Sequence, residues 1–291
     1  YKRQHKAVWV QRTIAAGATD VANDFCDFNF QGLIPDTAPG GGGSNPGGSG
    51  GGGTPTPTPT PTAFGFVIVG DWGCKTMTNS VVSRIKTLAP KLVISAGDNS
   101  YNDNGSPDCW YTTVHDIDNR QGSTIRLETA IGNHDNAEDA SVATENSFKN
   151  HFGYTNTYYS FNVQNVHYLI MDNTTEEAVN SSSAQYQFVQ SDLTAADADA
   201  TIDWIIVVIH KPFFTAQSNH DGNERQVVQT YMPFFLQKHV DLVISGHNHN
   251  TQETYPLVYN NANPDSPTIA NSTAGPYTGN EGIIFWVAGA G

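Results

Sequence analysis

Short apolar runs rich in β-branched residues recur along the chain from Phe64 onward and restrict its fold more than any other feature. They occupy residues 64–69, 91–96, 125–131, 166–171, 204–209, 240–245 and 282–288. Their length and composition predict buried strands. Helix-compatible stretches at 76–89, 183–199 and 224–238 separate several of these runs, which is the alternation of an α/β fold. Because the strands are apolar on both faces, we expect mixed β-sheets layered between helices.

A low-complexity linker divides the chain. Residues 40–62 read GGGGSNPGGSGGGGTPTPTPTPT, and neither the Gly/Ser run nor the Thr-Pro repeat can build a packed core. The linker predicts an N-terminal segment at 1–39, whose role the sequence leaves open between a tether and a strand donor, and a main domain at 63–291. The first residue is Tyr1 rather than methionine, so we expect a processed or incomplete chain.

Charge and hydropathy exclude two classes of partner. The chain has 28 acidic and 14 basic residues, a formal charge of −14, and contains no Lys/Arg block. This balance disfavours binding to nucleic acid or to an anionic membrane surface. No apolar stretch approaches the roughly 18 to 20 residues that span a bilayer. We therefore expect neither nucleic acid nor a membrane span.

Polar clusters stand at the carboxyl ends of the predicted strands. They are GDWG at 70–73, GDNSY at 97–101, GNHD at 132–135, His210, and GHNH at 246–249. Any one of them alone is more often a turn, a helix cap or a core histidine than a ligand site. Loops that leave the carboxyl ends of strands in an open α/β sheet converge on one crevice. We therefore expect the following residues to meet there: Asp71, Asp98, Tyr101, Asn133, His134, His210, His247 and His249.

These side chains describe a metal site. Carboxylate, phenolate, amide oxygen and imidazole suit first-row transition metals, and no thiolate occurs in the clusters to indicate structural zinc. The number of donors exceeds what one ion needs and matches two ions that share a bridging carboxylate. The other histidines, which lie outside the clusters, are interpreted as structural or surface residues; they are His5, His115, His151, His167 and His239.

The ordered set GDWG, GDNSY, GNHD, VVIH and GHNH resembles the five signature motifs of purple acid phosphatases, a branch of the calcineurin-like metallophosphoesterase superfamily. The resemblance spans residues 64–291 and implies a four-layer sandwich of mixed β-sheets flanked by helices. It also implies that Asp71, Tyr101 and His249 bind Fe(III), and that Asn133, His210 and His247 bind a divalent ion, which is Fe, Zn or Mn. Asp98 would bridge both ions.

The resemblance further implies an acid phosphatase. A metal-bound hydroxide would attack a phosphate monoester, and His134 and His220 would hold the phosphate or protonate the departing alkoxide. Lys211 is the only cation near the motifs and is interpreted as a solvated side chain. The chain ends at VAGAG, where the family normally continues through further strands, which favours a truncated C-terminus.

Four N-glycosylation patterns, at Asn104, Asn173, Asn180 and Asn271, favour a secreted, extracellular glycoprotein. In that compartment we expect a disulfide between Cys74 and Cys109. The linker and the N-terminal AVWV run suggest an alternative role as a structural subunit of a glycosylated fibril or surface assembly. Such a homo-assembly would form through residues 1–62, with AVWV added to a neighbour's sheet edge.

Overall fold

The structure is a computed structural model. It describes residues 7–8, 10–12, 26–30, 64–74, 76–101, 113–136, 144–174, 181–216, 225–273, 277–278 and 281–289. For residues 7–8, 10–12, 26–30, 64 and 277–278 this description covers the backbone alone.

The helices and strands alternate along the main domain as the apolar runs predict. The helices are α1 (Thr76–Leu88), α2 (Glu145–Phe152), α3 (Ala184–Ala198) and α4 (Arg225–Gln237). The first strands are β1 (Ala7–Val8), β2 (Val10–Arg12), β3 (Cys26–Phe30), β4 (Phe64–Val69), β5 (Leu92–Ser95), β6 (Arg126–Thr129), β7 (Tyr159–Val163) and β8 (Val166–Ile170). The later strands are β9 (Trp204–Val208), β10 (Leu242–Ser245), β11 (Thr251–Glu253), β12 (Leu257–Val258), β13 (Thr268–Ile269), β14 (Tyr277–Thr278) and β15 (Ile284–Ala288).

The larger sheet has the strand order β11-β15-β10-β9-β8-β7. Its four central strands run parallel, and β7 and β11 are antiparallel edge strands. The smaller sheet has the order β2-β3-β4-β5-β6, in which β4, β5 and β6 are parallel. Both sheets are therefore mixed, as predicted.

The two sheets pack face to face, and helices cover their outer faces. The central core joins Ile68 and Ile94 of the smaller sheet to Ile206 and Ile244 of the larger one. Helices α3 and α4 pack on the outer face of the larger sheet through residues such as Leu193 and Phe235.

Helix α1 covers the smaller sheet through Val81, Val82 and Ile85, which meet Val67 and Val93. The order helix, sheet, sheet, helix is the predicted four-layer sandwich, and the fold class is confirmed.

Backbone strands from the segment before the linker pair within their own chain. β3 lies antiparallel to β4 and β2 lies antiparallel to β3, so both extend the smaller sheet. β1, from the AVWV run, pairs with β14. Most of residues 1–63 lie outside the described part, so the division at residues 39 and 62 and the assembly through residues 1–62 stay predictions.

None of the helices in the described part of the chain is both long enough and apolar enough to cross a membrane.

Candidate metal centre

The carboxyl ends of the parallel strands of both sheets meet at one edge of the sandwich. In the smaller sheet, Asp71 N donates to Gly97 O at 3.0 Å, which ties the loop after β4 to the loop after β5. Nδ1 of His210, at the end of the larger sheet, lies 2.8 Å from Ala96 O of the smaller sheet. The loops of the two sheets therefore form one joint surface.

Glycines let these loops approach closely. A Cβ atom at Gly132 would overlap Asp98, and one at Gly97 would overlap the ring of His210. A Cβ at Gly246 would lie 2.5 Å from Asp71 Oδ2. Because every side chain beyond glycine would displace a polar group of the centre, these positions require glycine for space.

Three of the candidate ligands adopt left-handed backbone conformations. The φ angles are 58° at Asp71, 52° at Asp98 and 67° at His247. This region is uncommon for residues other than glycine and costs on the order of 1 kcal/mol each. Strained backbone at three loops that face each other is typical of a functional site.

One group of donors gathers around the phenol of Tyr101. Its hydroxyl lies 3.3 Å from Asp71 Oδ1 and 3.2 Å from His249 Nε2. Nε2 of His249 is in turn 3.5 Å from Asp71 Oδ1. These three side chains are the set predicted for Fe(III), and the structure brings them together.

A second group gathers around the amide of Asn133. Its Oδ1 atom lies 2.9 Å from His210 Nε2 and 2.9 Å from His247 Nδ1. The contact of His210 Nδ1 with Ala96 O leaves Nε2 directed at the centre. These are the three residues predicted for the divalent ion.

Asp98 lies between the two groups. Its Oδ2 atom is 3.1 Å from the Tyr101 hydroxyl, and its Oδ1 atom is 3.2 Å from His210 Nε2. Asp98, His210 and His247 each offer a ligand atom within 4.8 Å of the others. All seven predicted ligands thus converge, and this donor set fits two metal ions joined by one carboxylate.

Protonation in the absence of metal follows from burial and charge. Burial opposes ionisation of Asp98, but the charge of His210 outweighs it and lowers the pKa of the Asp98 carboxyl. Burial likewise opposes protonation of His210, but Asp98 outweighs it and raises the pKa of this imidazole to about 9.

Burial, together with the charges of Asp71 and Asp98, raises the pKa of Tyr101. Burial also raises the pKa of Asp71, and the hydrogen bond to Asp71 raises that of His249. These shifts favour a proton on the Tyr101 phenol and on the His210 imidazole, which bound cations would have to displace.

His134 lies beside the centre rather than within it. Its ring lies against that of Tyr101, with centroids 4.3 Å apart and planes tilted by 33°, and its backbone N–H donates to Asp98 Oδ1 at 3.0 Å. Its Nε2 atom is 4.0 Å from Asp98 Oδ2. His220 falls outside the described residues, so its predicted role is not tested.

Sequence reasoning missed a buried network that holds the loops together. The Asp135 carboxylate accepts from the backbone N–H groups of Asn99, Ser100 and Gly132 and from Asn99 Nδ2, at 2.8 to 3.1 Å. Burial and the charge of Asp98 raise its pKa to about 7.

The same network continues into the first loop. Ser95 Oγ donates to Asn99 Oδ1 at 2.6 Å and accepts from Trp72 Nε1 at 2.9 Å. Asn99 and Asp135 lie inside GDNSY and GNHD, so the sequence signal for them was their place in the motifs.

The structure describes two of the four predicted glycosylation positions, and these two asparagines differ in exposure. Asn173 is 2% exposed and its Nδ2 donates to Lys211 O at 2.6 Å, so it is not an accessible acceptor in the folded chain. Asn271 is only partly buried and bonds Glu281 Oε2 at 2.7 Å. Asn104 and Asn180 lie outside the described residues.

Cys74 is disulfide-bonded, and its Sγ accepts from Tyr101 N at 3.2 Å. The pairing with Cys109 stays a prediction because Cys109 lies outside the described residues.

The histidines interpreted as structural make local contacts. Nε2 of His167 lies 2.8 Å from Asp192 Oδ2, and Nδ1 of His239 lies 2.8 Å from Asp197 Oδ1. Nδ1 of His115 lies 2.9 Å from Asp116 Oδ1. His5 lies outside the described residues.

Comparison with known proteins supports the assignment of the motifs to a phosphoesterase family. The calcineurin-like phosphoesterase family matches residues 64–251. Purple acid phosphatase 22 of Arabidopsis thaliana is 29% identical over 216 residues, which cover 69% of this chain and 48% of that protein. Purple acid phosphatase 21 of the same plant is 27% identical over 213 residues, covering 69% and 47%.

Among solved structures, the purple acid phosphatase PPD1 from yellow lupin (Lupinus luteus) seeds shares the fold. Its TM-score is 0.58 at 17% identity, over 79% of this chain and 47% of the lupin chain.

The chain belongs to the calcineurin-like phosphoesterase family. Within that family it is related to the purple acid phosphatases, as the sequence motifs predict. It spans about half the length of the curated relatives that it matches.

Proposed function

We propose that the chain is the catalytic domain of a binuclear metal-dependent acid phosphatase that hydrolyses phosphate monoesters. One observation carries this proposal: two carboxylates, a phenol, an amide and three imidazoles converge from five strand-end loops. Such a set exceeds what structural packing needs, and it provides the ligands of a two-ion phosphoryl-transfer site. The names of the relatives motivate the choice of acid phosphatase.

The proposed ion positions follow the two donor groups. Fe(III) would be held by Asp71, Tyr101 and His249, because a phenolate is a hard anionic donor that suits a trivalent ion. A divalent ion, Fe, Zn or Mn, would be held by the group around Asn133, with Asp98 shared. When bound, the two ions supply an activated water and positive charge for the phosphoryl oxygens.

The chain's own residues would then orient and protonate the substrate. His134 is partly exposed beside Tyr101, within reach of a phosphate placed at the centre. It would donate a proton to the departing alkoxide or hold a phosphate oxygen. His220 is proposed to share this work.

We also propose that the protein is a secreted glycoprotein. The disulfide at Cys74 supports an oxidising compartment, and the partly exposed Asn271 supports glycan attachment.

Removal of the metals is expected to abolish hydrolysis. The protein as purified should hydrolyse p-nitrophenyl phosphate and should act much more slowly on bis(p-nitrophenyl) phosphate. Dialysis against a chelator should remove this activity, and iron together with Zn²⁺ or Mn²⁺ should restore it. Turnover that survives complete metal removal would contradict the proposal, and a preference for the diester would contradict the monoesterase assignment.

Metal affinity is expected to fall as the pH is lowered. His210 and Tyr101 are protonated in the metal-free centre, and metal ligation has to displace both protons. Affinity should therefore rise with pH, and the slope should decrease above about 9, where His210 loses its own proton while the Tyr101 phenol, whose pKa is raised, still has one to displace. Each displaced proton changes the metal affinity about tenfold per pH unit. Equilibrium dialysis at several pH values measures this slope, and a flat profile would be inconsistent with ligation by these groups.

A further inference from the structure

We propose that Asn173 is a positioning residue that fixes His210 in the divalent-ion site. This inference rests on the proposed function, since it assigns a role within that site. Asn173 lies beyond the carboxyl end of β8, three residues after Ile170, and was singled out in the sequence only as a glycosylation pattern.

The side chain of Asn173 continues the β8–β9 ladder where the backbone ladder stops. The two strands pair in parallel up to Ile170 and Val208, and Met171 N still donates to Val208 O at 2.9 Å. Beyond this point the Asn173 Oδ1 atom accepts from His210 N and Lys211 N, both at 3.0 Å. Its Nδ2 atom donates to Lys211 O at 2.6 Å. One amide thus binds three backbone groups of two consecutive residues, His210 and Lys211.

These bonds complete the anchoring of His210. On the other side of the strand, Gly246 N donates to His210 O at 2.9 Å, and the ring is held through Nδ1 by Ala96 O at 2.8 Å. The backbone N–H of His210 is the remaining polar main-chain group, and Asn173 is the residue that binds it. The direction of Nε2 toward Asn133 and Asp98 therefore depends on Asn173.

The chemistry of the position requires an amide. Asn173 is 2% exposed and His210 is fully buried, so lost hydrogen bonds at this place are not replaced by bulk water. Aspartate keeps the acceptor for the two N–H groups, but it loses the donor and sets a carboxylate oxygen against Lys211 O. Alanine loses both functions. Asparagine, aspartate and alanine at position 173 therefore form a series that supports the His210 loop with progressively fewer hydrogen bonds.

Asn173→Ala is expected to weaken binding of the divalent ion and to leave Fe(III) bound at the Tyr101 site. Loss of a residue that supports a metal ligand costs about 10- to 100-fold in metal affinity. We expect the free Zn²⁺ concentration at half-occupancy of the divalent site to rise by this factor in equilibrium dialysis of the full chain. The visible absorption band that a Tyr101 phenolate bound to Fe(III) would give should be retained. Asn173→Asp should lie between the wild type and Asn173→Ala.

Gln185→Ala is the matched control. The Gln185 amide is also buried and also bridges two backbone groups, accepting from Asp172 N and donating to Asp172 O at 2.8 Å each. It does not contact the His210 loop in these bonds. Its substitution should lower the thermal midpoint by a similar amount and keep wild-type Zn²⁺ affinity. Thr175→Ala, which removes the glycosylation pattern but keeps Asn173, should also bind Zn²⁺ as the wild type does.

Several results would overturn the inference. They are wild-type Zn²⁺ affinity in Asn173→Ala, an equal loss of affinity in Gln185→Ala, and a glycan found on Asn173 by peptide mass spectrometry. The proposed phosphatase function fails separately, if the metal-loaded wild type binds two ions but hydrolyses no phosphate ester. The Zn²⁺ measurement still decides the role of Asn173 in that case.

Discussion

Asp98→Asn is expected to lower kcat/KM for a phosphate monoester by on the order of 10³-fold or more and to remove at least one metal ion. The Asp98 carboxylate contacts side chains of both donor groups, Tyr101 on one side and His210 on the other. The substitution keeps the size of the side chain and removes the negative charge that two cations would share. Transition-state stabilisation by such ions amounts to several kcal/mol, and each 1.36 kcal/mol corresponds to about tenfold in rate.

Asp116→Asn is the control for this experiment. Asp116 is exposed and pairs with Lys86 at 2.9 Å, so its loss should leave metal content and turnover unchanged. Metal content by mass spectrometry and steady-state kinetics check both variants. Two bound ions and near wild-type turnover in Asp98→Asn would refute the bridging role.

Gly97→Ala is expected to disrupt the centre far more than Gly122→Ala, although the two glycines share a φ of 94°. A Cβ at Gly97 would overlap the Nδ1, Cγ and Cβ atoms of His210, whereas one at Gly122 meets no atom within 4 Å. Both variants carry the backbone strain of a left-handed alanine, which costs on the order of 1 kcal/mol. Only Gly97→Ala adds overpacking, of about 1 to 3 kcal/mol.

The same overlap displaces His210 from the site. A shift of about 1 Å in a positioned group costs roughly 10²-fold in rate. Thermal unfolding and kcat/KM of the two variants separate backbone strain from damage to the centre. Equal losses of activity in the two variants would show that the close packing of Gly97 against His210 is unimportant.

The layered fold and the place of the centre follow from the sequence because they rest on local patterns. Apolar β-branched runs such as 204–209 predict the strands. The carboxyl ends of these strands predict the edge of the sheets at which His210 and the other motif residues meet. The edge strand β7 was not predicted, because its residues are only partly buried and its pattern is weak. The antiparallel pairs β1–β14 and β12–β13 are too short to leave a periodic signal.

The supporting residues of the centre were not predictable in the same way. Asn99 and Asp135 act through bonds between loops that are 36 residues apart, which no local pattern encodes. Asn173 carried a sequence signal that suggested a surface glycan, and only its burial against the His210 loop reveals the other role. Long-range partners of this kind are properties of the assembled sheet rather than of a motif.

The measurement that tests the central claim most directly is the visible absorption spectrum of the native protein and of Tyr101→Phe, recorded together with iron content. If Asp71, Tyr101 and His249 hold Fe(III), the wild type should contain at least one iron per chain and show a tyrosinate-to-iron band. Tyr101→Phe should lose the band while the fold is retained. An iron-loaded wild type without the band, or a band that persists in Tyr101→Phe, would contradict the account.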